Sequence, residues 1–428
     1  MKLKYYIFFF LFITHGCNSI DKYPMFYKGN LHTHTLWSDG DAPPETVVNW
    51  YFQNGYSFLA ISDHNILSEG EKWIEVLDSA DTEKWPPPFT ISKLEKLKNE
   101  FGDDWPVLRY MNDTLQMRLK TLTELREKFE IPGEFILIQA EEITDAFDNY
   151  PVHLNATNLE SFISPQGGSS VYDVMQRNID AVIKQRDETN RPMFAHVNHP
   201  NYGWGIVAED LMKLTGDPFF EVYNGHPGVR NLGDDTHPGT ERMWDIILTK
   251  RFYQKMSTFY GLATDDAHSY YDIRVGESNA GRGWVMVKAE FLNAETITKA
   301  LLNGNFYSSA GVILNNIEEN EYHVKISIQS ESNVSYLTQF IGTTLSADTS
   351  SILILNDEEL LMNTMRKYSK DIGNVLYETS NNPAIYKFNG DELYVRVKVV
   401  SSNKHPNPYA EGDYEMAWTQ PIVLSVKK

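Results

Sequence analysis

Cysteine is nearly absent from this 428-residue chain: Cys17 stands alone, so no disulfide can form within it. Cations are scarce too, with 38 Lys and Arg against 58 Asp and Glu, a formal net charge of -20. An acidic surface repels phosphate backbones and argues against DNA or RNA as a partner. It does not exclude a small phosphorylated substrate, because bound metal ions reverse the local field. No apolar run is long enough to cross a bilayer as a helix, and there is no internal repeat. The length exceeds what one ordinary core supports and suits two domains.

The first residues run from basic Met1-Lys2-Leu3-Lys4 into an apolar stretch from Tyr5 to Ile13. That stretch reads as the core of a secretory signal. Gly16 directly before Cys17, with Asn18-Ser19 after it, resembles a bacterial lipoprotein signal over residues 1–17, although Thr14-His15 departs from the usual small apolar pair. Cys17 would then carry lipid as the first mature residue; a plain cleaved signal peptide is the alternative. Both imply export, to the periplasm or the outer membrane or cell surface, with membrane contact only through that lipid.

Beyond this segment, short apolar runs end in polar, metal-type residues. They are Gly29 to His32, Ser57 to His64, Glu134 to Glu142, Met193 to His196, Phe219 to Asn224 and Thr258 to Asp266. Runs of this kind fit strands buried on both faces. Helical stretches over Pro43–Asn54 and Ser170–Glu188 lie between them, so the pattern predicts a parallel α/β sheet or barrel. In such barrels functional groups gather at the C-terminal ends of strands. Residues 66–133 form an insertion, either a lid or specificity wall or inert decoration, with a predicted helix over Leu115–Phe129. From about residue 312, period-2 alternation (Val324, Ile326 and Ile328; Tyr394 to Val399) predicts a small all-β, sandwich-like C-terminal domain over 312–428.

His32-Thr33-His34 is the strongest local signal, because alternate strand residues point the same way and both rings can reach one ion. Asp63-His64, Glu142, His153, His199, Asp266 and His268 follow near later strand ends. Histidines and carboxylates spread over several strand ends have little reason to exist unless they converge on metal. Glu141 and Glu142 face opposite ways on a strand, so only one points inward. His196 and His199 are likewise rivals.

Taken in order, His32-Thr-His34, Ser38-Asp39-Gly40, Asp63-His64-Asn65, Glu142-Ile143-Thr144, His153, His199-Pro200 and Asp266-Ala-His268 resemble the PHP superfamily, named for polymerase and histidinol phosphatase, over roughly residues 25–311. The resemblance implies a distorted (β/α)7 TIM-like barrel with two or three Zn, Mn or Fe ions. Gly281-Arg282-Gly283-Trp284, Ser308 to Gly311, Tyr394-Val395-Arg396 and Ala417 to Ile422 look like a branch that contains a carbaryl (carbamate) hydrolase. Carried over by position, His32, His34, Glu142 and Asp266 would hold the first metal. Glu142, His153 and His199 would hold the second, with Glu142 bridging. Asp39, His64 and His268 would hold a third; Asp39 stands where some members have histidine. The family context favours Glu142 over Glu141 and His199 over His196.

The implied activity is hydrolysis of a phosphate ester by metal-activated water. His64 or His226 is the candidate proton donor, and Asp63 a catalytic residue that orients His64 or a water. Asn224, Arg230 and Arg282 are candidate substrate contacts, and Arg274, Tyr202 and Trp204 lie in the same loops. Rival readings are a metal hydrolase of carboxylic or carbamate esters and an exported, non-catalytic surface-binding lipoprotein with a relict barrel. Export disfavours proofreading and histidinol phosphatase roles. Oligomeric state is not legible.

Overall fold

The computed structural model describes residues 25–79, 86–216, 218–354 and 366–423. The predicted signal and Cys17 lie outside them. Among the described residues no helix is long and apolar enough to cross a membrane.

The fold is mixed α/β. A thirteen-stranded sheet begins at Tyr260–Thr264 and passes through Phe219–Asn224, Phe194–Val197, Tyr150–Thr157, Ile136–Phe147, Phe58–Ile61 and Met25–Asn30. Phe58–Ile61, Phe194–Val197 and Phe219–Asn224 are buried along their whole length, as the continuous runs predict. Most neighbours pair in parallel, but Tyr150–Thr157 runs antiparallel to both of its neighbours. It returns from Ile136–Phe147 through a tight turn at Asp148, whose φ of 51° is left-handed. Helices Pro44–Gln53 and Val171–Thr189 match expectation; Ser170 caps the second by accepting from the Asp173 amide.

Among the described residues, continuous strand ladders do not show a closed barrel. Met25–Asn30 pairs antiparallel with Trp284–Ala289 rather than with Tyr260–Thr264. The chains leaving Met25–Asn30 and Tyr260–Thr264 meet only past the strand ends, where Thr33 bridges Ala267, the His34 amide donates to the Ala267 carbonyl and the Asp266 amide to that of His32. The sheet therefore curls just enough to bring its two ends together at one rim.

The insertion departs from expectation. Leu115–Arg118 belongs to a strand, Thr114–Arg118, not a helix. It forms a hairpin with Val107–Met111 across Asn112 and Asp113, both left-handed (φ 50° and 60°), a turn suited to two-residue hairpins. The helix starts only at Leu122, where Thr121 and Glu124 form a reciprocal capping box.

Beyond Gly311 every regular element among the described residues is a strand. Tyr414–Thr419, Glu392–Lys404, Tyr336–Thr344 and Asn374–Thr379 extend the large sheet itself, joined through pairs such as Ser309 with Ala417. A three-stranded sheet of Leu314–Glu319, His323–Ile328 and Ala384–Lys387 shares a core with it, Val324 and Ile326 clustering with Phe340 and Val397.

Candidate metal centre

The rim where the sheet's ends meet carries the site. His32 and His34 follow Met25–Asn30, and both are fully buried. Their Nε2 atoms lie 3.1 Å apart. Asp266 Oδ1 stands 3.2 Å from each of these nitrogens. Glu142 Oε2 is 3.6 Å from His32 and 3.4 Å from His34. The other oxygen of Glu142, Oε1, lies 3.1 Å from His153 Nδ1 and 3.5 Å from His199 Nε2. Asp39 gathers a third set: its Oδ1 is 3.4 Å from His268 Nε2 and 3.5 Å from His34 Nδ1, and its Oδ2 is 3.5 Å from His64 Nε2. Overlapping groups of donors thus gather around one pocket of about 420 Å³, with Glu142 shared between the group of His32 and His34 and that of His64 and His153.

Backbone and supporting contacts fix these atoms. His199 and Asp266 both adopt positive φ, 22° and 50°, a strained choice for side-chain-bearing residues that aims them inward. Glu221 lies beneath the cluster. Its Oε1 accepts from His32 Nδ1 and from Thr264 Oγ1, each at 2.7 Å. Its Oε2 accepts from the His199 amide and from Asn224 Nδ2, each at 2.7 Å. Asn198 Nδ2 donates to Glu142 Oε1 at 2.7 Å, and His268 Nδ1 donates to the Asp266 carbonyl at 2.9 Å. Contacts of this kind set the tautomer of a ligating histidine and hold its other nitrogen toward the ion.

The electrostatics agree. Burial alone would raise the carboxyl groups of Asp39, Glu142 and Asp266, yet the surrounding imidazoles hold all three well below the usual carboxylate range. Burial, then His268 and His64, lowers His34 to about 3, leaving it neutral. For His64 burial also acts downward, but Glu142 and Asp39 outweigh it and hold the ring at about 11. Asp39 Oδ1 and Glu142 Oε2 are buried without an aligned hydrogen bond, His64 Nδ1 standing 2.7 Å from Glu142 Oε2. Buried carboxylate oxygens in that state are costly, and a divalent cation among mixed imidazole and carboxylate donors relieves the cost. The residues present fit metal ions.

The structure brings His32, His34, Asp39, His64, Glu142, His153, His199, Asp266 and His268 together. Glu141 faces away, accepting the Ile163 amide at 2.7 Å. His196 sits behind the cluster, with Nε2 3.5 Å from Glu221 Oε1, while His199 is within it.

Other candidates have different positions. Asp63 does not reach His64; it accepts from the Thr35 amide, Thr35 Oγ1 and Ser38 Oγ at 2.8, 2.8 and 2.6 Å, and so shapes the loop after His34. Asn224 is fully buried, its amide engaged by Glu221 and by Asp266 Oδ2 at 3.1 Å, so it orients ligands rather than facing substrate. Arg282 is buried with its guanidinium on the carbonyls of Gly225, Glu277 and Arg274, which staples loops and turns it from the pocket. Arg230 stacks over Trp204, 4.7 Å from the ring centre. Trp204 in turn stacks on His237 at 3.9 Å, and Arg274 pairs with Asp272 and Glu277 at the surface. Tyr202 and His226 line the pocket. Glu221 and Asn198 were not singled out as site residues in the sequence; the one signal was their place at or beside strand ends shared with assigned ligands.

A scan of protein-family models finds no match, and a search of curated proteins finds none. Among solved structures, a two-domain protein from Bacteroides vulgatus containing a predicted PHP-like metal-dependent phosphoesterase is similar over 93% of this chain and 96% of its own, at 17% identity and a TM-score of 0.39. A protein from Bifidobacterium adolescentis described as a metal-dependent phosphoesterase is similar over 64% of this chain and 94% of its own, at 12% identity and a TM-score of 0.30.

Proposed function

We propose that this chain is a divalent-metal-dependent hydrolase of the PHP type that cleaves phosphate esters. The observation that carries the reading is Glu142, whose two oxygens each face a different set of histidines within one pocket. His32, His34, Glu142 and Asp266 would hold one ion, Glu142, His153 and His199 a second, and Asp39, His64 and His268 a third, with Zn, Mn or Fe as the metal. Ions held there would lower the pKa of water and offset negative charge building on the phosphoryl oxygens.

The chain's own residues do the rest. Buried carboxylates and imidazoles, locked by Glu221, Asn198 and Asn224, keep the donor atoms in place through the reaction. His226 accepts the Gly228 amide at Nδ1 (2.9 Å), so in the neutral ring the proton sits on Nε2. Burial lowers this ring to about 4, which keeps it neutral at pH 7. His226 therefore serves as a hydrogen-bond donor to the leaving oxygen rather than as a charged acid. Tyr202 provides a wall for the leaving group.

Arg230 lies over Trp204 and Arg282 on backbone carbonyls, and neither is among the residues lining the pocket. That favours, as a second reading, carboxylic or carbamate esters, which need no cationic clamp. On either reading the enzyme works outside the cytoplasm, tethered through Cys17 where its signal is processed as a lipoprotein signal.

The test uses the soluble chain from Asn18, supplied with Mn²⁺ or Zn²⁺. A chromogenic phosphomonoester, a phosphodiester and a carboxylic ester are compared with and without chelator. Chelator-sensitive turnover of a phosphate ester is expected. Turnover of the carboxylic ester alone would promote the second reading, and no turnover with metal bound would overturn both.

A further inference from the structure

We propose that the 66–133 insertion is a clamp that organises the third donor group, with Trp37 as its positioning residue. The inference rests on the metal-dependent reading above. Leu36 and Trp37 leave the main core for a separate hydrophobic cluster whose other buried members, among them Val76, Leu97 and Met117, all belong to the insertion. Trp37 Nε1 donates to the Lys120 carbonyl at 2.9 Å, and Lys72 Nζ donates to the Trp37 carbonyl. Further along, Lys93 Nζ donates to the Asp41 carbonyl at 2.8 Å. Trp105 Nε1 donates to Glu45 Oε1 at 3.0 Å, fastening the insertion to the helix that follows.

These contacts bracket one short turn. The Ser38 and Gly40 amides both donate to the Thr35 carbonyl at 3.0 Å, so Asp39 sits at the tip of a tight loop. Asp63 grips that loop from the sheet side, and the insertion grips it from the outside through Trp37 and Asp41. Asp39 is the one carboxylate among His34, Asp39, His64 and His268. Among the described residues, none that lines the metal pocket belongs to 66–133, so the described part of the insertion acts on the site through the loop it holds. A ligand whose carrier loop is held rigidly loses less freedom on binding, which strengthens the site. The effect is reciprocal: a cation at the Asp39 group must stabilise the docked insertion by the same factor.

The test is stepwise Mn²⁺ titration of the metal-free chain from Asn18, with bound metal counted by elemental analysis. Trp37→Phe keeps an aromatic ring but removes the donor to Lys120. Lys93→Met is a second variant in case the first does not fold. Both are expected to leave the two tightest equivalents unchanged and to weaken the remaining one by about tenfold or more. Hydrogen exchange across residues 86–125 should slow on Mn²⁺ addition in the wild type but not in Asp39→Asn. Equal weakening of every equivalent, or none in either variant, would overturn the clamp. So would binding of only two equivalents with insertion exchange unchanged, a result that leaves the metal-dependent reading standing. No Mn²⁺ binding at all would instead bring down the proposed function itself.

Discussion

His32 Nδ1 and Glu221 Oε1 lie 2.7 Å apart at the fully buried base of the metal centre. The proton between them is thereby fixed on Nδ1, and Nε2 is left to face Asp266 and Glu142. Glu221→Gln preserves volume while removing the negative acceptor. We expect metal affinity to fall by about 10- to 100-fold, read by titration calorimetry, with far-ultraviolet circular dichroism unchanged. Undiminished affinity would show that packing alone orients His32.

How much of this was legible in the sequence follows from range. His32 and His34 were readable because their spacing, local to one strand, decides which way they point. For Glu141 and Glu142 the same alternation told only that one of them faces inward; the choice of Glu142 came from the family resemblance of Glu142-Ile143-Thr144. Glu221 was not readable as a site residue, because its role depends on His32, 189 positions away in sequence. Arg282 misled for the opposite reason: an arginine in a loop after a ligand motif looks like a phosphate contact, and only the folded loops reveal three backbone carbonyls around it. Closure of the barrel was not legible, since local periodicity does not encode which strand completes a sheet. The helix expected over Leu115–Phe129 holds only from Leu122, because helix formers around Thr121 masked the hairpin at Asn112-Asp113.

A second pair tests how the C-terminal strands attach. Arg396 donates two parallel hydrogen bonds to Asp245, Nε to Oδ1 at 2.8 Å and Nη2 to Oδ2 at 2.7 Å, with Tyr394 Oη on Oδ1 at 2.8 Å. Both residues are buried. Arg396→Met leaves a carboxylate in the interior without its cation and should cost about 3–5 kcal/mol, whereas Asp245→Leu with Arg396→Met should cost less than that single change. Urea unfolding of the single and double variants measures the coupling. Additive costs would mean the pair does not act as a unit.

Metal binding should also be visible as stability. The donors come from chain segments around Met25–Asn30, Ile136–Phe147 and Tyr260–Thr264, so an ion ties them together only in the folded state. At a free metal concentration 100 times Kd, one site adds about 2.7 kcal/mol. Chelator should therefore lower Tm, and Asp266→Ala should lose much of the metal-dependent rise along with turnover. An equal metal-dependent rise in wild type and Asp266→Ala would remove Asp266 from the ligand set.

Glu141 gives the pH prediction. Its side chain points away from the cluster of metal-competent donors, is fully buried, and has one oxygen on the Ile163 amide while the other has no partner. Burial raises its carboxyl from 4.5 to about 8. Between those values the folded state holds a proton that the unfolded chain has released. The contribution to stability is thus complete below pH 4.5 and declines as pH rises through 8. Glu141→Gln keeps the acceptor for the Ile163 amide and has no proton to lose. The variant should match the wild type near pH 4.5 and exceed it at pH 8 by on the order of 4 kcal/mol. Chemical denaturation at the two pH values measures this; a constant difference between the proteins across that range would mean that Glu141 ionises freely in the folded state.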